Sequence, residues 1–184
     1  MNLFKCNPML LKATTCLAFG ILLSSCSKDE EGIPNRLTIN GTNYVLSNGY
    51  ISGNGVFEDD NGNRGSVYQV ILATSGVTIT DGDLAGTGQL FYMALFSPST
   101  VELAAGTYAY DERFLEGNLL EAAGADGNFT TGVGSEYGIT SGTVTISKSG
   151  NTWTFQFEGE ADDGAGGTIA ISGSFSGPLT EIEF

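Results

Sequence analysis

The sequence predicts an all-β domain, an antiparallel β-sandwich, with a closed, lipocalin-like β-barrel as the alternative. Three observations carry this. Glycine and asparagine punctuate the chain, with 27 glycines in 184 residues. The segments between them are short and rich in Val, Ile, Thr, Phe and Tyr, the composition of strands. In the last third those segments alternate strictly between apolar and polar residues.

The elements follow in chain order. Leu37 to Asn40 and Tyr44 to Leu46 flank Gly41-Thr42-Asn43 and read as an opening hairpin. Gly49 to Phe57 carries a strand ended by the polar turn Glu58-Asp59-Asp60-Asn61-Gly62-Asn63. Val67 to Thr74, Val77 to Thr80, Gln89 to Ser97 and Gly106 to Tyr110 supply further strands. Gly142 to Ser147 and Thr152 to Glu158 pair across the turn Lys148-Ser149-Gly150-Asn151. In this hairpin Val144, Ile146, Trp153, Phe155 and Phe157 share one face, while Thr143, Thr145, Thr152, Thr154, Gln156 and Glu158 share the other. Gly167 to Phe175 repeats the pattern, with Ile169, Ile171 and Phe175 inward and Thr168, Ser172 and Ser174 outward. Such strands cover a core with their apolar face and leave the other face wet.

Two segments depart from alternation. Val67 to Ala73 and Leu90 to Phe96 are apolar on both faces. They are covered on both sides, or one face lines a cavity or an oligomer interface. The long connection from Asp111 to Gly138 is the expected cover. Phe114, Leu115, Leu119, Leu120 and Ala122 within it suggest a short helix, which Gly117 weakens.

The first 25 residues have the parts of a secretory signal: Lys5 and Lys12, then the mostly apolar stretch from Ala13 to Leu23. That stretch is too short to span a bilayer, which takes about 20 residues. Leu23-Ser24-Ser25-Cys26 resembles the lipobox of bacterial lipoprotein precursors. The resemblance implies cleavage before Cys26 and acylation of its sulfur, the alternative being an ordinary cleaved signal with an incidental cysteine. Lys28-Asp29-Glu30-Glu31 resembles the surface-export signal of Bacteroidota lipoproteins, which implies display on the outer face of the outer membrane. The competing reading is a solvated tether kept extended by its charge. The organisation expected is therefore a signal peptide over 1–25, a lipidated acidic tether over 26–36, and a single domain over 37–184.

Cleavage removes Lys5 and Lys12 but no acidic residue, so 5 basic and 21 acidic side chains remain, a balance of −16. Such a charge repels nucleic acid and anionic headgroups, leaving the lipid as the only membrane attachment. Cys6 and Cys16 leave with the signal, Cys26 is acylated, and the chain has no histidine. The mature domain therefore lacks the residues for Cys-His or Ser-His-Asp catalysis, for zinc sites built on His or Cys, and for redox dithiols. No catalytic motif is evident, and no enzymatic activity is expected.

The candidate sites are weak. Asp59, Asn61 and Asn63 present oxygens as a calcium loop does, but Tyr68 stands where an EF-hand needs glutamate, and an Asx turn explains the same residues without metal. No cofactor is expected, calcium being the sole alternative. Asp81-Gly82-Asp83 and Asp162-Asp163-Gly164 read as hairpin tips. Trp153 alternates with Phe155 and Phe157 and belongs to the core rather than to a sugar-stacking platform. Tyr108, Tyr110 and Tyr137 are the aromatics expected to be exposed and to bind sugars. The opening Ile39-Asn40-Gly41-Thr42-Asn43-Tyr44 and the closing Gly173-Ser174-Phe175-Ser176-Gly177-Pro178-Leu179 resemble those of small surface lipoproteins of the Bacteroidota. This implies an antiparallel sandwich or barrel and transfers no activity. The leading expectation is a non-catalytic surface module that captures a glycan or another ligand. A structural or adhesive component and a carboxylate-based glycoside hydrolase are the alternatives.

Overall fold

In the computed structural model, residues 35–183 are described, and Glu31–Phe184 forms a compact unit of its own. The all-β class holds: every described element is a strand. Twelve strands join in a large curled, mixed sheet that forms a half-barrel. They are β1 (Arg36–Ile39), β2 (Thr42–Val45), β3 (Asn48–Glu58), β4 (Arg64–Ala73), β5 (Val77–Thr80) and β6 (Asp83–Ser97). Then follow β7 (Gly106–Tyr110), β8 (Asn118–Asn128), β9 (Val133–Ser149), β10 (Thr152–Asp162), β11 (Thr168–Gly177) and β12 (Thr180–Glu181). The order across the sheet is β12-β3-β4-β6-β8-β7-β9-β10-β11-β1-β2, with β5 paired to β6. Among the described residues only β12–β3 and β7–β8 are parallel pairs.

The curl reconciles the two expected architectures. Hydrogen bonding runs from strand to strand as in a barrel, yet the two halves face each other as in a sandwich. Phe91 of β6 stacks on Phe157 of β10, ring centroids 4.1 Å apart and 7° from parallel. Phe155, Phe175, Val144, Ile146, Leu37, Val70, Leu72 and Met93 fill the same core. The alternation read in β9, β10 and β11 sets this up: Val144 pairs with Phe157, Ile146 with Phe155 and Phe155 with Phe175. Gly173 is required here, because a Cβ on it would lie 2.2 Å from the Arg36 carbonyl oxygen and 2.5 Å from the Phe157 ring.

The stretch from Asp111 to Gly138 corrects an expectation. It is not an irregular connection and carries no helix; it supplies β8 and the start of β9, which pair from Ala123–Gly138 to Asn128–Val133. Away from their shared turn these strands diverge, and β7 fills the gap, pairing with both. Leu119 and Ala122, three residues apart, both point inward because the β6–β8 register shifts between them: Leu119 pairs with Leu95, Ala122 with Met93. A bulge thereby produces the three-residue apolar spacing that a helix would also produce.

β4 and β6 are central, and their outer face is covered. Ile71, Ala73 and Leu90 form a second cluster with Tyr50 and with Val77 and Ile79 of β5, against which Phe129 and Ile182 pack. Phe114 stacks on Phe96 at 4.5 Å. The 111–138 stretch thus contributes Phe114 and Phe129, while β5 and the C-terminal strand supply the remaining cover.

Candidate functional site

The surface that alternation leaves to solvent is a polar face spread over β7, β9, β10, β11 and β1. Antiparallel register aligns its side chains into rows. One row runs Thr107, Thr145, Gln156, Ser174, Arg36, each paired with the next on the neighbouring strand, although Ser174, read from alternation as outward, is buried at 8% exposure and leaves Thr107, Thr145, Gln156 and Arg36 as the exposed members. A second runs Thr143, Glu158, Ser172, Thr38. Strands lie about 4.8 Å apart, so the rows present hydrogen-bonding groups at near-regular steps. Two adjoining shallow depressions of about 480 and 690 Å³ lie on this face and share Thr143, Glu158 and Ser172. The Thr107 and Thr145 hydroxyls are 3.2 Å apart, so the surface is partly ordered by its own contacts.

Two basic side chains are ion-paired among the described residues. Arg113 is paired with Asp111, which it holds down at about 2 through hydrogen bonds to the carboxylate. Lys148 is paired with Glu102 at 2.9 Å and lies 4.5 Å above the Trp153 ring. Among the described residues Arg36 has no ion-pair partner, and it sits at the end of the first row.

The tyrosines expected to form an exposed platform do not do so. Tyr108 is only 2% exposed and donates its hydroxyl to the Ala104 carbonyl at 2.8 Å. Burial pushes its hydroxyl above the ordinary tyrosine value. Tyr110 and Tyr137 are half-buried and pack against the main core. The reason is register. Tyr108 pairs with inward Val144 and Tyr137 with Gly124, whose missing Cβ makes room for Ile171. Trp153 lies in the core, as its alternation indicated.

The Asp59 turn is likewise self-contained. One Asp59 carboxylate oxygen accepts the Asn61 and Asn63 backbone N–H groups, each at 2.8 Å. The other accepts the Asn63 side-chain amide at 3.2 Å and the Glu116 N–H at 3.3 Å. Oxygens that a calcium ion would need are directed at N–H donors, and Asn63 offers its amide hydrogens rather than an oxygen. Among the described residues no three acidic, histidine or cysteine side chains converge as a metal site. Burial alone would raise the Asp59 pKa, but the hydrogen bonds from Asn63, Glu116 and Asn61 outweigh it and hold the group below its ordinary 3.8. A lowered folded value means a contribution to stability that is complete above the unfolded value, near 4, and is lost as pH falls through the folded one. Melting curves from pH 7 to pH 3 should therefore show a steeper acid loss for the native chain than for Asp59→Asn, which starts less stable and varies less with pH.

Asp163 and Asp162 cap the β10–β11 turn in the same way, accepting N–H groups from Ala165, Gly167 and Gly164. Cys26 and Lys28 to Glu31 lie outside the described residues. Among the described residues no helix is long and apolar enough to cross a membrane. No protein-family model matches the chain, and no curated protein or solved structure is significantly similar to it.

Of the residues in the polar rows, Thr143, Thr145, Gln156 and Glu158 were already legible as an outward set. Arg36 was not, because its strand is too short for alternation to assign a face.

Proposed function

We propose that the chain is a lipid-anchored outer-membrane protein of the cell surface that binds an extended neutral polysaccharide without transforming it. The anchor and export parts of this reading rest on Leu23 to Cys26 and Lys28 to Glu31. The binding part rests on one observation: exposed Thr107, Thr145, Gln156 and Arg36 lie in a row that crosses five strands in register, with buried Ser174 between the last two. Hydroxyl, amide and guanidinium groups on a regular lattice suit a ligand that itself repeats hydroxyls. The open, shallow form suits a chain lying across the sheet rather than a small molecule enclosed in a pocket. A mature balance of −16 disfavours anionic polysaccharides, so a neutral glycan fits best.

Binding without hydrolysis agrees with where the carboxylates lie. Asp59, Asp111 and Asp163 are all held below the ordinary carboxylate value by hydrogen bonds in turns, which suits none of them to donate a proton. Glu158 and Glu160 stand exposed on the open face. Removing two exposed members of that row, as in Arg36→Ala combined with Gln156→Ala, should weaken polysaccharide binding by about tenfold or more in calorimetry, one hydrogen bond being worth about 1 kcal/mol. Tyr110→Phe should leave it unchanged. Equal affinity for the native domain and the double variant would place the contact elsewhere.

A further inference from the structure

We infer that the edge of β3 beyond Ile51 is a second interaction surface, one that takes an extended, positively charged segment of another polypeptide by strand addition. The inference is independent of polysaccharide binding and concerns the opposite end of the sheet order. β12 covers only the start of that edge, pairing Thr180 with Tyr50 and Glu181 with Ile51, and its last contact is the Ile182 N–H donated to the Ile51 carbonyl at 2.9 Å. From Gly53 to Glu58 every residue of β3 is exposed, and β4 is its sole strand partner among the described residues. Backbone groups of successive residues face opposite sides of a strand, so those of Gly53 point outward as those of Ile51 do. Where β12 stops there is a recess of about 920 Å³, lined among others by Ile51, Ser52, Gly53, Tyr68, Glu181 and Glu183.

Two features define the occupant. The recess carries Glu181 and Glu183 and no basic side chain, and the mature chain carries −16, so a segment with lysine or arginine is complementary. A second copy would set the same carboxylates against one another. The register shift between Gly53 and Val56, with Gly55 at φ 92°, is the kind of bulge that guards edges against long flat pairing. It confines addition to a short segment around Gly53, so the contact is selective for charge and does not propagate into a fibre. The exposed side chains of Val56 and Phe57, 45% and 41% accessible, lie just past it.

The test uses the domain over residues 31–184, whose core lies within itself. The probes are a peptide of alternating valine and lysine and one of alternating valine and glutamate. The basic peptide should bind at least about tenfold tighter, weaken with salt, and protect the outward backbone amide of Gly53 from hydrogen exchange. Gly53→Pro removes that N–H without touching the β3–β4 ladder and should abolish binding of the basic peptide. Should this variant not fold, Glu181→Lys with Glu183→Lys tests the same site and should reverse the preference between peptides. Equal binding of both peptides, protection mapped to another surface, or self-association of the domain through β3 would each overturn the inference. Polysaccharide binding should persist in the Gly53→Pro and Glu181→Lys/Glu183→Lys variants, which keeps failure here distinct from failure of the polar-face reading.

Discussion

Replacing Cys26 with alanine is expected to abolish lipidation and maturation outright. Alanine has no nucleophile to carry the acyl glycerol, and no other residue from Leu23 to Lys28 offers a thiol. Each buried methylene of an acyl chain contributes about 0.8 kcal/mol to membrane affinity, so a multiply acylated cysteine would dominate any contact a mature chain of charge −16 could make with a bilayer. The variant should run at precursor size, incorporate no labelled palmitate, and leave the detergent phase in phase partitioning. A variant that is processed and lipid-labelled like the native chain would remove the anchor from the account.

Phe157→Ala should produce the largest loss of stability in the folded domain. Phe157 is 4% exposed and is the β10 half of the Phe91 stack that joins the two faces of the curled sheet. Truncating a buried phenylalanine costs about 3–5 kcal/mol, from lost transfer energy and the cavity left behind. At about 2–4 °C per kcal/mol for a domain of this size, the melting temperature should fall by roughly 10 °C. A double-mutant cycle with Phe91→Leu should return a coupling of about 0.5–1.5 kcal/mol, the contribution of the ring pair beyond burial. A loss below about 1 kcal/mol, or zero coupling, would mean that β6 and β10 do not face each other.

The fold was legible wherever strands kept a strict two-residue period. The hairpin of β9 and β10, with Trp153, Phe155 and Phe157 inward and Gln156 and Glu158 outward, follows from the sequence with no further input. Legibility failed at bulges. The extra residue between Leu119 and Ala122 breaks the period and imitates a helical stripe, so β8 was hidden. Tyr108 was misread for a related reason: the five residues of β7 are too few to fix a face, and only pairing with Val144 shows that it points inward. Cover for the outer face of β4 and β6 depends in part on Ile182, which is far from both strands in sequence. The lattice of the polar rows is likewise a property of register between strands, which no single strand's sequence specifies.

The most direct test of the binding claim is a glycan array probed with the domain over residues 31–184, native and as the Arg36→Ala, Gln156→Ala variant, in calcium and in chelator. The account predicts saturable binding of the native domain to a neutral polysaccharide, unaffected by chelator and lost in the variant. Binding that disappears in chelator would return the Asp59 turn as a metal site. Binding undiminished in the variant, or confined to anionic glycans, would contradict the polar face as the site of capture.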